Sequence, residues 1–167
     1  HNVQSLQRRV VQHLVKCALE KGRIDRHDRH HTAVTMACGM ASRGMVPVVA
    51  IYSTFLQLAF DQVLHDAALQ GLHVVFAVDR AGVVGEDGET HQGLYDLAYL
   101  QPIPGIEIFA PRDYRELRHM LHHALLISQG PVVIRYPRGA ERTLPAGDTT
   151  AVLPVGQAQV LRSGTHL

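Results

Sequence analysis

The stretch DRAGVVGEDGETHQG, Asp79 to Gly93, sets one arginine, four acidic residues and one histidine among glycines, between two hydrophobic regions. A histidine side chain titrates near neutral pH when unperturbed, so His91 suits proton transfer, and Asp87 is its natural polar partner. Arg80, Arg135 and Arg138 each fall at or just past the end of an apolar run, and planar guanidinium groups suit phosphate or carboxylate ligands. A phosphorylated substrate fits that set. The ordinary structural use of the same arginines is ion pairing with Asp79 or Glu86. The stretch is not an EF-hand, because its third and fifth residues, Ala81 and Val83, supply no side-chain oxygen. Nor does a G-x-G-x-x-G loop follow a strand anywhere in the chain.

Histidine is abundant, with twelve in 167 residues. His27/His31 and His119/His123 are spaced to share a helical face, but no third ligand is set at a fixed distance from either pair, so no metal site is expected.

The elements that must position these residues alternate in type. Leu6, Val10, Leu14, Val15 and Ala18 predict a helix over Leu6–Glu20, ended near Gly22. Ala33, Met36, Ala37 and Met40 predict a second, small-residue helix that Gly44 can close. Pro47–Tyr52 is continuously apolar, as a strand buried on both faces would be. Ser53 or Thr54 can cap a helix carrying Leu56, Ala59, Phe60, Val63 and Leu64 as far as Gly71. A strand at His73–Val78 leads into the charged stretch. Beyond it come a short strand at IEIFA, a helix opened by Asp113 with Glu116 as a capping-box pair, and a buried strand at Pro131–Pro137. The expected class is α/β, a mostly parallel sheet with helices on both faces. Ligands of such sheets bind beyond the carboxyl ends of the strands, where YSTF, DRAGVVGEDGETHQG and RYPRG should gather around one cleft.

A net charge of +1, without basic blocks, gives no pull toward nucleic acid or anionic lipid. No apolar run approaches the ~20 residues that span a bilayer. Cys17 and Cys38 form neither a metal clip nor a disulfide scaffold, so the expected setting is reducing and cytoplasmic.

PVVAIYSTFLQ, FDQVLHD, DRAGVVGEDGETHQG, DLAYLQPIPG and RYPRG closely resemble, in order and spacing, the central domain of the 1-deoxy-D-xylulose-5-phosphate synthases, transketolase-like enzymes that use thiamine diphosphate. The resemblance runs from about Thr32 to Gly139. It implies a pyrimidine-binding domain over 32–140, a linker toward a third domain over 141–167, and a segment 1–31 that is helical and not family-like. That segment is expected to be divergent, degenerate or read out of frame. The family condenses pyruvate with glyceraldehyde 3-phosphate, releases carbon dioxide, and feeds non-mevalonate isoprenoid and thiamine precursor synthesis. By position, Phe55 corresponds to the aromatic residue that stacks on the cofactor pyrimidine. Tyr52, Arg80, Asp87, His91 and Arg135 correspond to residues lining the substrate site, where Arg80 and Arg135 would hold phosphate and His91 and Asp87 would serve catalysis. His30 replaces the glutamate of the family segment GIAEQHAVT that activates the cofactor, Thr32 stands where that segment has histidine, and Leu58 replaces an arginine. The family binds the cofactor diphosphate through magnesium with a Gly-Asp-Gly motif of a separate domain, and that motif does not occur here. The resemblance therefore implies a fragment that is inactive alone, from an enzyme whose intact form is a homodimer. Two alternatives stand beside it: a degenerate binding or oligomerisation module, and one half of a split transketolase-like enzyme.

Overall fold

The computed structural model describes residues 14–15, 26–140 and 164, with side chains described from His30 onward in the main span. Among the described residues, five parallel strands form one sheet in the order β1-β2-β3-β5-β4. They are β1 (Leu14–Val15), β2 (Val48–Tyr52), β3 (Val75–Asp79), β4 (Glu107–Phe109) and β5 (Val132–Arg135). The helices are α1 (Arg26–Ala41), α2 (Ser53–Leu56), α3 (Asp96–Leu100) and α4 (Tyr114–Leu126). The helical path of α2 continues through a 3₁₀ turn at Gln57–Ala59 and a π-helical segment at Gln62–Ala68.

Side chains alternate along each strand, so one sheet feeds two cores. Val49, Ile51, Phe76, Val78 and Val133 face α1 and the 53–68 helical segment, meeting Val34, Ala37, Cys38, Leu56, Ala59, Val63 and Ala67. Val48, Val75, Ala77, Val132 and Ile134 face α4, meeting Ala124 with Leu117, Met120, Leu121 and Leu125 around it. This is the expected two-sided α/β sheet. Among the described residues, no helix is long and apolar enough to cross a membrane.

Several expectations change in detail. Most of the predicted Leu6–Glu20 helix lies outside the described residues, but Leu14 and Val15 are strand, paired with Val48 and Val49. Two adjacent apolar residues complete a parallel edge more readily than their helical spacing implies, because strand preference follows tertiary pairing. On α1 the buried stripe is Ala33, Val34, Ala37 and Cys38, whereas Met36 is 50% exposed. The small side chains let α1 lie close to the 53–68 segment, tied there by Thr35 Oγ1 donating to Asp66 at 2.8 Å. The helix also begins at Arg26, so it crosses the expected boundary at Thr32 without a break. Ser53 is buried inside α2 and makes no cap, because the chain turns from β2 into helix at Tyr52 itself. β2 is not covered on both faces throughout, since Ala50 is exposed.

Asp113 does cap α4, accepting from the backbone N–H groups of Arg115 and Glu116, both at 2.9 Å. The Glu116 amide, with Arg112 and Arg115 adding to it, holds the Asp113 carboxyl below its ordinary range against the opposing effect of burial. The reciprocal half of the cap is displaced by one residue: Glu116 accepts from the N–H of Arg112 at 2.7 Å rather than from that of Asp113.

Candidate active site

Parallel pairing sets the strand ends side by side. Tyr52 lies opposite Asp79 and Val78 opposite Arg135, so β2, β3 and β5 deliver their last residues to one edge. The charged stretch begins there and returns on itself, with Gly82 and Gly93 exchanging two backbone hydrogen bonds of 2.7 and 2.9 Å. Gln92 clamps the interior of the loop: its side chain accepts from Val84 N–H at 2.7 Å and donates to the carbonyls of Val84 and Gly88 at 2.9 and 3.0 Å. Gly88, at φ 76° and ψ −178°, joins two 3₁₀ turns in a conformation open in practice to glycine alone. A Cβ on Gly93 would lie 2.2 Å from the Arg80 carbonyl oxygen and 2.7 Å from the Ser53 side chain, so only glycine closes the loop against α2.

Arg80 is the hinge of the site. It takes a left-handed backbone, φ 57°, which costs an L-residue about 1–2 kcal/mol. The Asp79 carboxylate offsets this by accepting from the Arg80 N–H at 2.7 Å, and Ala81 N–H donates to the Tyr136 carbonyl at 3.1 Å. The twist aims the guanidinium back over the Tyr52 ring, 4.2 Å from its centroid, in contact with Asp79 and 3.1 Å from Asp87. Burial opposes its charge, yet hydrogen bonds to Asp79 and Asp87 hold its pKa above the ordinary arginine value.

Asp87 stands between two arginines, bridging Arg80 to Arg138, and Arg138 also meets Glu86 at 2.9 Å. Arg80 and Arg138 both line a cavity of about 660 Å3 that reaches Arg112, Tyr114, Leu117 and Tyr136. Burial, and then the Asp79 charge, raise the Tyr136 phenol above its ordinary pKa, so it presents a neutral hydroxyl. Arg135, expected to hold phosphate, is differently engaged. Its Nε and Nη2 donate to the two oxygens of Asp96 at 2.9 and 3.1 Å, and the Asp96 side chain is 0% exposed. Its remaining contact is with the Gly93 carbonyl at 3.5 Å. The reason is register: Arg135 ends β5 beside Val78, under the returning loop, whereas Arg138 lies three residues farther along the chain.

The other side of Arg80 is aromatic. Tyr52 and Phe55 lie nearly parallel with centroids 5.5 Å apart. His91 presents its ring edgewise to both, 6.0 Å from Tyr52 and 5.4 Å from Phe55, and its Nδ1 is 2.9 Å from Thr90 Oγ1. His30, brought in by α1, stacks on Phe55 at 4.9 Å. Asp87 is bonded to the arginines rather than to His91, so the expected His91–Asp87 pairing is not the one formed. Thus Tyr52, Phe55, Arg80, Asp87, His91 and His30 converge, while Arg135 supports the loop from beneath. Asp96 and Gln92 escaped the sequence reading, because neither an inward carboxylate at a helix start nor a loop glutamine declares its partner in sequence.

Residues 29–143 match the family described as transketolase, pyrimidine binding domain. The chain belongs to that family. It is 57% identical over 135 residues to a 1-deoxy-D-xylulose-5-phosphate synthase of Pelotomaculum thermopropionicum, covering 81% of this chain and 21% of the relative. It is 56% identical over 134 residues to the enzyme of the same name from Magnetococcus marinus, covering 80% and 21%. The chain therefore spans about a fifth of the length of these relatives. Among solved structures, transketolase from Campylobacter jejuni superposes with a TM-score of 0.65 at 25% identity, over 74% of this chain and 20% of that one. A protein titled split gene transketolase, inactive beta4 tetramer, superposes with a TM-score of 0.57 at 28% identity, over 69% and 35%. The pyrimidine-binding domain is thus identified both by sequence and by fold.

Proposed function

We propose that this chain is the pyrimidine-binding domain, over residues 32–140, of a thiamine diphosphate-dependent synthase of the 1-deoxy-D-xylulose-5-phosphate type. The intact enzyme would condense pyruvate with glyceraldehyde 3-phosphate and release carbon dioxide. The observation that carries the reading is Arg80, whose guanidinium lies over Tyr52 and also lines the cavity shared with Arg138. It joins a slot suited to a flat heteroaromatic ring to a basic pocket suited to a phosphate ester.

In this reading Arg80 and Arg138 hold the phosphate of the triose, replacing part of their contact with Asp87 by bonds to phosphate oxygens. Asp87 keeps the two guanidinium groups aligned before substrate arrives. His91, at the edge of the aromatic slot, holds or delivers a proton beside the reacting centre. Arg135, held by Asp96, is a positioning residue that donates directly to the Gly93 carbonyl. When bound, thiamine diphosphate would supply the nucleophilic carbon centre that such a condensation requires. The rings of Phe55 and Tyr52 fit its pyrimidine, but the activating acid is not matched, because His30 stands where the family has glutamate and an imidazole is no carboxylate. Magnesium and the diphosphate would be held by a domain outside this chain, within a homodimeric enzyme.

A second reading is favoured by one observation, the superposition on the split gene transketolase whose title calls its tetramer inactive. Here the chain is one half of a two-chain enzyme and gains activity only with its partner. Both readings predict that the 167-residue chain binds thiamine diphosphate and magnesium weakly and does not turn over pyruvate. Titration calorimetry followed by a decarboxylation assay tests this. Appreciable turnover by the chain alone refutes it.

A further inference from the structure

Pleating turns alternate residues of β5 to opposite faces of the sheet. Val133 faces the α1 side and Arg135 follows it to Asp96, whereas Val132 and Ile134 face α4 and the ring of Tyr136, just past the strand, packs with them. The backbone of Tyr136 is held on both sides: its N–H donates to the Val78 carbonyl at 3.0 Å, and its carbonyl accepts from the Ala81 N–H at 3.1 Å. These bonds carry the pairing with β3 beyond the end of β5 and bring Tyr136 to the cavity wall with Asp79, Arg80 and Arg138. A second tyrosine, Tyr114, lines the same cavity, but its hydroxyl is committed, donating to the Gly139 carbonyl at 2.9 Å. The Tyr136 hydroxyl makes no hydrogen bond among the described residues, although the charges of Asp79 and Arg80 both act on it. Burial, and then Asp79, keep that hydroxyl protonated, so it is a donor with nothing yet to donate to.

The arginines of the cavity are in the opposite state. Arg80 already meets Asp79 and Asp87, and Arg138 meets Asp87 and Glu86, so a phosphate must draw each guanidinium away from a carboxylate. The Tyr136 O–H gains an acceptor and gives up none within the protein. With its ring packed and its backbone pinned, it also has little freedom left to lose when a ligand binds. We infer that Tyr136 is a ligand-binding residue of the cavity, its hydroxyl donating to an oxygen of the phosphate ester that Arg80 and Arg138 hold. Donors from three side chains then face the terminal oxygens of a phosphate monoester, a tetrahedral group that a planar carboxylate does not imitate. The inference rests on the phosphate reading of the cavity under Proposed function and adds to it a neutral donor that neither the charged loop nor the arginines supply.

The test uses the 167-residue chain and its Tyr136→Phe, Arg80→Met and Arg138→Met variants, isotopically labelled at the tyrosine ring carbon that bears the hydroxyl and titrated with glyceraldehyde 3-phosphate by NMR, which follows binding into the millimolar range. Phenylalanine keeps the packed ring, so Tyr136→Phe should leave the urea midpoint in place and weaken binding roughly 3- to 30-fold, as the loss of one hydrogen bond to a charged group would. In the wild type, the Tyr136 ring-carbon signal, identified by its absence from Tyr136→Phe, should move in step with ligand occupancy, which a merely structural tyrosine would not do. Unchanged affinity in Tyr136→Phe, or a Tyr136 signal that stays in place while ligand binds, overturns the inference; the phosphate reading then stands if Arg80→Met and Arg138→Met still weaken binding. Arginine variants that bind as the wild type does, or a wild type that does not bind the ligand at millimolar concentration, overturn that reading and the inference with it. Thiamine diphosphate is left out of every sample, so its weak affinity for the chain alone does not bear on any of these outcomes.

Discussion

Replacing Arg135 and Arg138 in turn by methionine separates a guanidinium buried against a carboxylate from one that lines the cavity. The Asp96 carboxylate is fully buried and both of its oxygens accept from Arg135, while the Arg135 side chain is itself only 18% exposed. Taking away one member of such a pair leaves a charge inside the protein, at a cost of about 3–5 kcal/mol. That is a large share of the ~5–15 kcal/mol that stabilises an ordinary domain. Arg138 is 41% exposed and one of its partners, Glu86, is 81% exposed, so the same change there should cost only about 0–1 kcal/mol. Urea denaturation followed by circular dichroism reads the difference directly. With a slope of ~1–3 kcal/mol per molar urea, Arg135→Met should lower the midpoint by about 1 M or more, and Arg138→Met should barely move it. Titration with glyceraldehyde 3-phosphate then gives the opposite order: Arg138→Met weakens binding, and Asp96→Asn with Arg135→Met, if folded, weakens it less. A loss below about 1 kcal/mol for Arg135→Met, with a larger loss for Arg138→Met, would show that the two roles had been assigned the wrong way round.

Two further outcomes are expected. Gly93→Ala places a methyl group against the Arg80 carbonyl and Ser53, so it should break the Gly82–Gly93 bridge and cost about 2–4 kcal/mol in lost hydrogen bonds and overpacking; hydrogen exchange at the Gly82 and Gly93 amides should accelerate, and unchanged protection would contradict the close approach. Burial, and then the Asp66 charge, push the Cys38 thiol up to about 11, so in a Cys17→Ser background Cys38 should resist iodoacetamide at pH 8. Because the folded state holds that proton more tightly than the unfolded chain, this contribution to stability is present below pH 9 and is lost as the pH rises from 9 toward 11; denaturation midpoints that stay flat across that window, relative to a Cys38→Ala control, would argue against it.

Much of the fold was legible because its signals are local. Continuous apolar runs at β2, β3 and β5 identify buried parallel strands, and Asp113 with Glu116 marks the start of α4, since hydrogen bonding at a cap depends on residues two and three positions away. Met36 faces outward because helical spacing alone leaves open which of two neighbouring stripes is turned inward. Leu14 and Val15 are strand despite their helical spacing because an edge strand is stabilised by its partner and not by its own sequence.

At the site the same division holds. The residue order of Asp79–Gly93, the aromatic pair Tyr52 and Phe55, and the family itself were all determined by the sequence, because residue type and spacing fix what chemistry a loop can offer. Which arginine lines the cavity was decided only by tertiary structure, where strand register sets Arg135 against a buried Asp96 and leaves Arg138 on the cavity. The position of His30 is of the same kind. The chain states that a histidine stands there, and only the packing of α1 against the end of β2 lays its ring on Phe55, because contact between residues 25 positions apart depends on how the two elements meet rather than on what either contains.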